Sequence, residues 1–192
     1  MKTYNGLGEN MIIILGIPGV GKTSVLTGVK DCKLVNYGTL MLEIASKEYG
    51  ITSRDQIRKL SIAKQKAVQK KVAGQLSQMS RVLLDTHCMI RTPSGYLPGL
   101  PYSLLKGLTV EALVLVIAKP EEIQARRAKD AARERDSLSV DDIRAEIDMC
   151  LNYLAAYSTL AGAPAKVVMN NDGRLESAVA ELKAVVAGVW QE

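Results

Sequence analysis

Five stretches of the chain are wholly or largely apolar, and sequence with helical patterning separates them. They are Met11-Ile12-Ile13-Ile14-Leu15, Lys33-Leu34-Val35-Asn36, Arg81-Val82-Leu83-Leu84-Asp85, Ala112-Leu113-Val114-Leu115-Val116-Ile117 and Lys166-Val167-Val168-Met169-Asn170. Short continuous apolar runs predict strands buried on both faces, and the longest intervening segments, about Asp55 to Met79 and about Val140 to Leu160, predict helices. The alternation predicts an α/β fold with a five-stranded parallel sheet flanked by helices. Such sheets bind ligands beyond the carboxyl ends of their strands. Three segments fall at such ends: the one after Leu15, Asn36–Thr39 and Asp85–Arg91.

Arg91-Thr92-Pro93-Ser94-Gly95-Tyr96-Leu97-Pro98-Gly99-Leu100-Pro101 breaks this pattern. Its glycines and prolines exclude regular helix and predict a structured, irregular loop. A loop of that length in a compact domain is more often functional than neutral. Residues 1–10 are polar and read as a loose extension, with Met11 as an alternative start. No internal repeat, low-complexity tract or interdomain linker is visible.

The length of 192 residues suits one domain with a proper core. Phenylalanine is absent, so that core must be aliphatic. The net charge of +5 fits a groove for nucleotide phosphates. No long Lys/Arg tract or aromatic-interleaved basic stripe points to RNA or DNA. Cys32, Cys88 and Cys150 form no C-x-x-C pair, which argues against a zinc ribbon or a disulfide framework and suits a reducing cytoplasm. No apolar run approaches the length of a membrane span, and the N-terminus lacks a signal-peptide core.

Gly16-Ile17-Pro18-Gly19-Val20-Gly21-Lys22-Thr23 matches the phosphate-loop pattern G-x-x-x-x-G-K-[ST], between a strand and a helix that Ser24 continues. Glycines let backbone N–H groups converge on anionic oxygens, and the helix start adds its positive end. Lys22 can reach the β- and γ-phosphates of ATP, and Thr23 offers a hydroxyl to Mg²⁺. Asp85, at the end of the third strand, stands where an acid would serve Mg²⁺ through water. His87 is the only histidine. It could orient water or a phosphate, or simply bond the loop.

Arg126, Arg127, Arg133 and Arg135 cluster between Pro120 and Ser137, with Asp130 and Asp136 among them. A salt-bridged helix would pair Arg126 with Asp130. On a closing segment the same arginines would stabilise charge on a moving phosphoryl group and exclude water, which separates a kinase from an ATPase. A third polar patch follows the second strand: Asn36-Tyr37-Gly38-Thr39, then Arg54-Asp55-x-x-Arg58. Arg58 could clamp an anionic acceptor, with Arg91 on its other side, while Arg54 could merely balance Asp55.

These residues together resemble the archaeal-type adenylate kinases over nearly all of 11–192. The phosphate loop is shared by many enzymes. Asn36-Tyr37-Gly38-Thr39, Arg54-Asp55-Gln56-Ile57-Arg58-Lys59-Leu60, Asp85-Thr86-His87, Thr92–Pro101 and Arg126-Arg127-x-x-Asp130-x-x-Arg133-x-Arg135-Asp136 carry the rest. The resemblance implies a P-loop NTPase core with AMP-side helices at about 37–79 and a short zinc-free lid at about 120–138. It implies reversible phosphoryl transfer from Mg·ATP to AMP in a cytoplasmic homotrimer. Residues 16–24, from Gly16 to Ser24, would bind ATP. Lys22, Arg91, Arg133 and Arg135 would act in catalysis, Thr23 and Asp85 on Mg²⁺, and Thr39, Arg58, Arg91, Gly95 and Tyr96 on the acceptor.

One position departs from the family pattern. Asn152-Tyr153-Leu154-Ala155-Ala156 puts Tyr153 where a phosphate-contacting arginine is expected, and Arg144 or another arginine is expected to compensate. Two other activities fit the same core. One is an ATPase that assists ribosome assembly, since nuclear relatives of adenylate kinase also carry Asp-x-His. The other is a kinase for a different nucleoside monophosphate. A GTPase is disfavoured, because no N-K-x-D motif is present.

Overall fold

In the computed structural model, which describes residues 11–30, 32–92, 94–129 and 138–190, the chain enters through β1 (Met11–Leu15), whose residues are all buried. The glycine-rich loop leads into α1 (Lys22–Thr27), and the chain returns as β2 (Lys33–Asn36). Asn36 then caps α2 (Tyr37–Tyr49): its side-chain oxygen accepts from the Thr39 N–H at 2.9 Å, filling one of the bonds a helix start leaves open. α3 (Arg54–Lys59) begins at a reciprocal capping box between Ser53 and Gln56. Next come α4 (Ile62–Leu76), β3 (Val82–Asp85), β4 (Met89–Thr92), β5 (Gly95–Pro98), α5 (Tyr102–Leu105) and β6 (Val110–Ile117). The chain ends with α6 (Pro120–Lys129), α7 (Val140–Ala161), β7 (Ala165–Met169) and α8 (Leu175–Val189).

The five-stranded sheet has the order β2-β3-β1-β6-β7, and every pairing is parallel. Its register positions the site. Ile14 pairs with Asp85, and Asp85 pairs with Asn36, so β2 and β3 end level with one another, one residue short of the end of β1 where the glycine-rich loop begins. α1 packs on α8, α6 packs on α7, and α7 and α8 both cover β6. The core is aliphatic, as the absence of phenylalanine requires. Among the described residues its buried aromatics are Tyr157 and Trp190. No described helix is long and apolar enough to cross a membrane.

Three local expectations need correction. The stretch Asp55–Met79 is two helices, because Leu60 turns extended (ψ 150°) and the Ser61 side chain recaps the chain at the Lys64 N–H. The last two strands of the sheet are β6, which starts at Val110, and β7, which ends at Met169. Much of the Arg91–Pro101 segment is regular strand rather than irregular loop. β4 and β5 form an antiparallel hairpin in which Met89 faces Pro98, Ile90 faces Leu97, Arg91 faces Tyr96 and Thr92 faces Gly95. Proline and glycine sit at the ends of these short strands, where a missing N–H or a positive φ does little harm to the ladder. The Thr92 hydroxyl closes the turn by donating to the Gly95 carbonyl at 2.8 Å.

Candidate active site at the glycine-rich loop

Gly19 and Gly21 adopt φ of 90° and 81°, a region that favours glycine. Two long-range braces fix the loop between them. Arg127 Nε donates to the Pro18 carbonyl at 2.9 Å, and Asn170 Nδ2 donates to the Val20 carbonyl at 2.8 Å. In a trans peptide the C=O of one residue and the N–H of the next point in opposite directions. With those two carbonyls committed to the braces, the Gly19 and Gly21 N–H groups are fixed on the opposite sides of their peptide planes and left free of those partners, as an anion cradle requires. A Cβ at Gly21 would come within 2.5 Å of Asn170 Nδ2, so the brace also demands glycine there.

Lys22 folds back over the loop. Its ammonium donates to the Gly16 carbonyl at 3.1 Å and stands 3.8 Å from Asp85 Oδ1. Burial pushes its pKa below the usual lysine value, and the nearby Asp85 carboxylate opposes that effect only in part. Asp85 Oδ2 accepts from Asn36 Nδ2 at 2.7 Å, while its buried Oδ1 has no hydrogen-bond donor. His87 stands at the same mouth. Desolvation of the ring by the groups packed around it, followed by the Lys22 and Arg54 cations, lowers its pKa to about 4 against the pull of Asp85, so the ring is neutral at pH 7.

The polar patch after β2 is organised differently from the sequence expectation. Arg54, which the sequence allowed merely to balance Asp55, donates through Nη2 to Asn36 Oδ1 at 3.0 Å and to Thr39 Oγ1 at 2.9 Å. It lies against Gly38, within reach of His87. Arg58 is on the same short helix, and its side chain lies outside the described residues. Arg91 is exposed on β4, and its charge acts on Asp142 in the first turn of α7. Gly95 and Tyr96 follow across the hairpin, where the Tyr96 carbonyl accepts from the Tyr153 hydroxyl at 2.9 Å.

Arg126 and Arg127 are anchored on α6. Arg126 binds Asp172, the Asn170 carbonyl at 3.0 Å and Glu122 at 3.3 Å, which ties α6 to the turn after β7. Its expected partner Asp130, with Arg133 and Arg135, lies outside the described residues. Arg144, expected to compensate for Tyr153, pairs with Asp141 at 2.6 Å and Glu121 at 3.5 Å. That is roughly two and a half helical turns from Tyr153.

Sequence reasoning missed the braces Arg127 and Asn170 and the linking role of Asn36. Asn170 had a signal, since it follows the last strand at the carboxyl edge where the site lies. Thr23 and Ser24 open α1 exposed to solvent beside the loop, and Ile17 and Val20 are buried beneath it. The described residues hold no cluster of three or more His, Cys, Asp or Glu side chains that could bind a metal by themselves. Asp85 Oδ1 and the Thr23 hydroxyl are hard oxygen donors. They fit Mg²⁺, which takes few protein ligands and completes its shell with water and substrate phosphates.

A parallel sheet, a braced glycine-rich loop and a buried lysine at its mouth define a P-loop phosphotransferase. A family model described as an AAA domain matches residues 15–144, more than half of the chain. Shikimate kinases from Bacteroides thetaiotaomicron (TM-score 0.57, 15% identity, 92% of this chain and 97% of that one) and Acinetobacter baumannii (TM-score 0.56, 16%, 97% of each) share the fold. Adenylate kinase from Thermoplasma acidophilum is 42% identical over 178 residues, 91% of this chain and 97% of its own. Those of Methanopyrus kandleri (42%, 92% and 97%) and Methanocaldococcus jannaschii (40%, 93% and 98%) are similar at the same level. The chain belongs to the adenylate kinase family.

Proposed function

We propose that this cleft carries out the reaction of that family, reversible phosphoryl transfer from Mg·ATP to AMP to give two ADP, with the residue roles that follow. The observation that carries the reading is the juxtaposition of Lys22, in its braced loop, with the Asn36–Thr39–Arg54 cluster across Asp85. Donor and acceptor groups therefore face one another over the carboxyl edge of the sheet. The phosphates of ATP lie in the loop Gly16–Thr23, continued by Ser24, against its amides and Lys22. An arriving phosphate adds to the counter-charge of Asp85 and offsets the solvation that burial denies the Lys22 ammonium. Thr23 and Asp85 would hold Mg²⁺, which when bound neutralises charge on the β- and γ-oxygens.

On the acceptor side, Thr39, Arg54, Arg58, Arg91, Gly95 and Tyr96 orient AMP so that a phosphate oxygen faces the γ-phosphorus in line. That oxygen is already anionic, so no general base is needed, and a neutral His87 suits a supporting hydrogen bond. Arg133 and Arg135 close over the moving group, stabilise its charge and keep water out. Positioning and electrostatics carry the reaction. The family resemblance also supports a cytoplasmic homotrimer, which sedimentation tests directly.

The test is ADP formation from Mg·ATP with AMP, CMP, UMP and GMP supplied separately, beside a control without acceptor. Strong AMP-selective production is expected. ATP turnover indifferent to every acceptor would overturn the reading in favour of an ATPase on the same core.

A further inference from the structure

Asn36 touches both halves of the cleft with a single side chain. Its Nδ2 donates to Asp85 Oδ2 at 2.7 Å. Its Oδ1 accepts from the Thr39 N–H at 2.9 Å, the Thr39 hydroxyl at 3.1 Å and Arg54 Nη2 at 3.0 Å. Arg54 Nη2 also donates to the Thr39 hydroxyl at 2.9 Å, which closes the acceptor-side cluster. Beyond Asp85 lies the donor side, with Lys22 Nζ 3.8 Å from Oδ1.

Only an amide can play this part. A carboxylate could accept from Thr39 and Arg54 but has no proton for Asp85, and a hydroxyl is too short to reach both sides. The bond to Oδ2 also decides which oxygen of Asp85 faces Lys22 without a hydrogen-bond donor. The orientation of Asp85 therefore depends on how firmly Asn36 is held. On the acceptor side it is held by exposed bonds, which open easily.

We propose that Asn36 is a positioning residue that couples the two nucleotide subsites, so that each nucleotide tightens the binding of the other. The inference rests on the reading that Arg54 and Thr39 face the acceptor. An acceptor phosphate that binds Arg54 and Thr39 orders them, and through Asn36 it orders Asp85. The donor nucleotide then meets a carboxylate whose freedom has already been lost. Linkage makes the effect reciprocal.

The experiment is calorimetric titration of AMP, alone and with saturating Mg²⁺ and a non-hydrolysable ATP analogue. It is run on wild type, Asn36→Ser and Asn36→Asp. Both variants keep an oxygen that caps α2. Ser cannot reach Asp85, and Asp replaces the donated bond with a like-charge contact. The readout is the ratio of the two AMP affinities. A merely structural role for Asn36 would shift both affinities alike and leave that ratio unchanged.

Wild type is expected to bind AMP at least ~5-fold more tightly with the analogue present, and both variants to retain less than ~2-fold. Variants that keep the wild-type ratio, or a wild type without coupling, would overturn the proposal. Arg54→Ala separates the two readings. Unchanged AMP affinity in that variant defeats the acceptor-site assignment. Weakened AMP affinity there, with full coupling in the Asn36 variants, defeats this inference alone.

Discussion

The Tyr153 hydroxyl donates to the Tyr96 carbonyl at 2.9 Å, so a position where the family pattern leads one to expect arginine is here a tether. The Tyr153 ring stacks on Tyr157, with centroids 5.8 Å apart. Tyr157 in turn donates to the Cys88 carbonyl at 2.8 Å and accepts from the Leu100 N–H at 3.3 Å. Two phenols on α7 thus hold the β4–β5 hairpin, one at its strand and one at the point where its two ends meet. A lone two-stranded hairpin is marginal in water, and Arg91 rides on this one.

Tyr153→Phe keeps the stacking and removes the tether. Stability is expected to fall by about 1 kcal/mol, the net worth of one such bond. Amide exchange across Met89–Pro98 is expected to quicken, as hydrogen-exchange mass spectrometry would show. Tyr153→Arg loses both the stacking and the tether and is expected to melt lower, with turnover no higher than wild type. A rise in turnover by orders of magnitude would mean that the site lacks a charge that nothing else supplies.

Lys22→Ala is expected to cut kcat by on the order of 10²–10³-fold, the usual effect of removing one preorganised charge-stabilising donor. The fold should survive, because burial penalises the Lys22 charge and the side chain gives up only a hydrogen bond to Gly16 and a loose 3.8 Å ion pair with Asp85, whose other oxygen keeps its bond from Asn36. Circular dichroism and thermal melting check the fold, and coupled ADP production checks the rate. Turnover close to wild type would remove the basis for the site.

The sheet and the glycine-rich loop were legible because both are local patterns. Met11–Leu15 is apolar residue by residue, and the loop motif is contiguous. What escaped the sequence is what depends on distant partners. Arg127 reaches Pro18 across 109 residues, and Asn170 reaches Val20 across 150. No spacing rule joins such positions, although the ends of parallel strands are the place to look. Arg54 shows the same limit, since adjacency suggests Asp55 as a partner while the fold brings Arg54 to Asn36 and Thr39. The hairpin is hidden in the sequence by Pro98 and Gly95, which weaken a strand signal even though they fall at the ends of β5.

Glu111 offers a pH-dependent test remote from the cleft. Its carboxylate accepts from Trp190 Nε1 at 2.8 Å, and burial raises its pKa more than that bond lowers it. The folded state therefore holds the proton more firmly than the unfolded state. Stability from this group is present below the unfolded pKa and is lost as pH rises through the folded one. Glu111→Gln still accepts from Trp190 and carries no charge. It is expected to melt above wild type at pH 7 and level with it near pH 4. An equal difference at both pH values would contradict the assignment.

Arg127 serves two masters, and a double mutant separates them. Its Nη2 pairs with Glu146 at 3.1 Å, where the two side chains are only 10% and 8% exposed, and its Nε braces Pro18. Arg127→Met leaves Glu146 buried without its partner, which is expected to cost about 3–5 kcal/mol of stability. It also frees the Pro18 carbonyl, so the Gly19 N–H is no longer fixed by that brace. Adding Glu146→Gln removes the orphaned charge and is expected to restore much of the denaturant midpoint. It cannot restore the brace, so the KM for ATP should stay raised in the double variant. If that KM returns to the wild-type value along with stability, Arg127 supports the core but does not shape the phosphate loop.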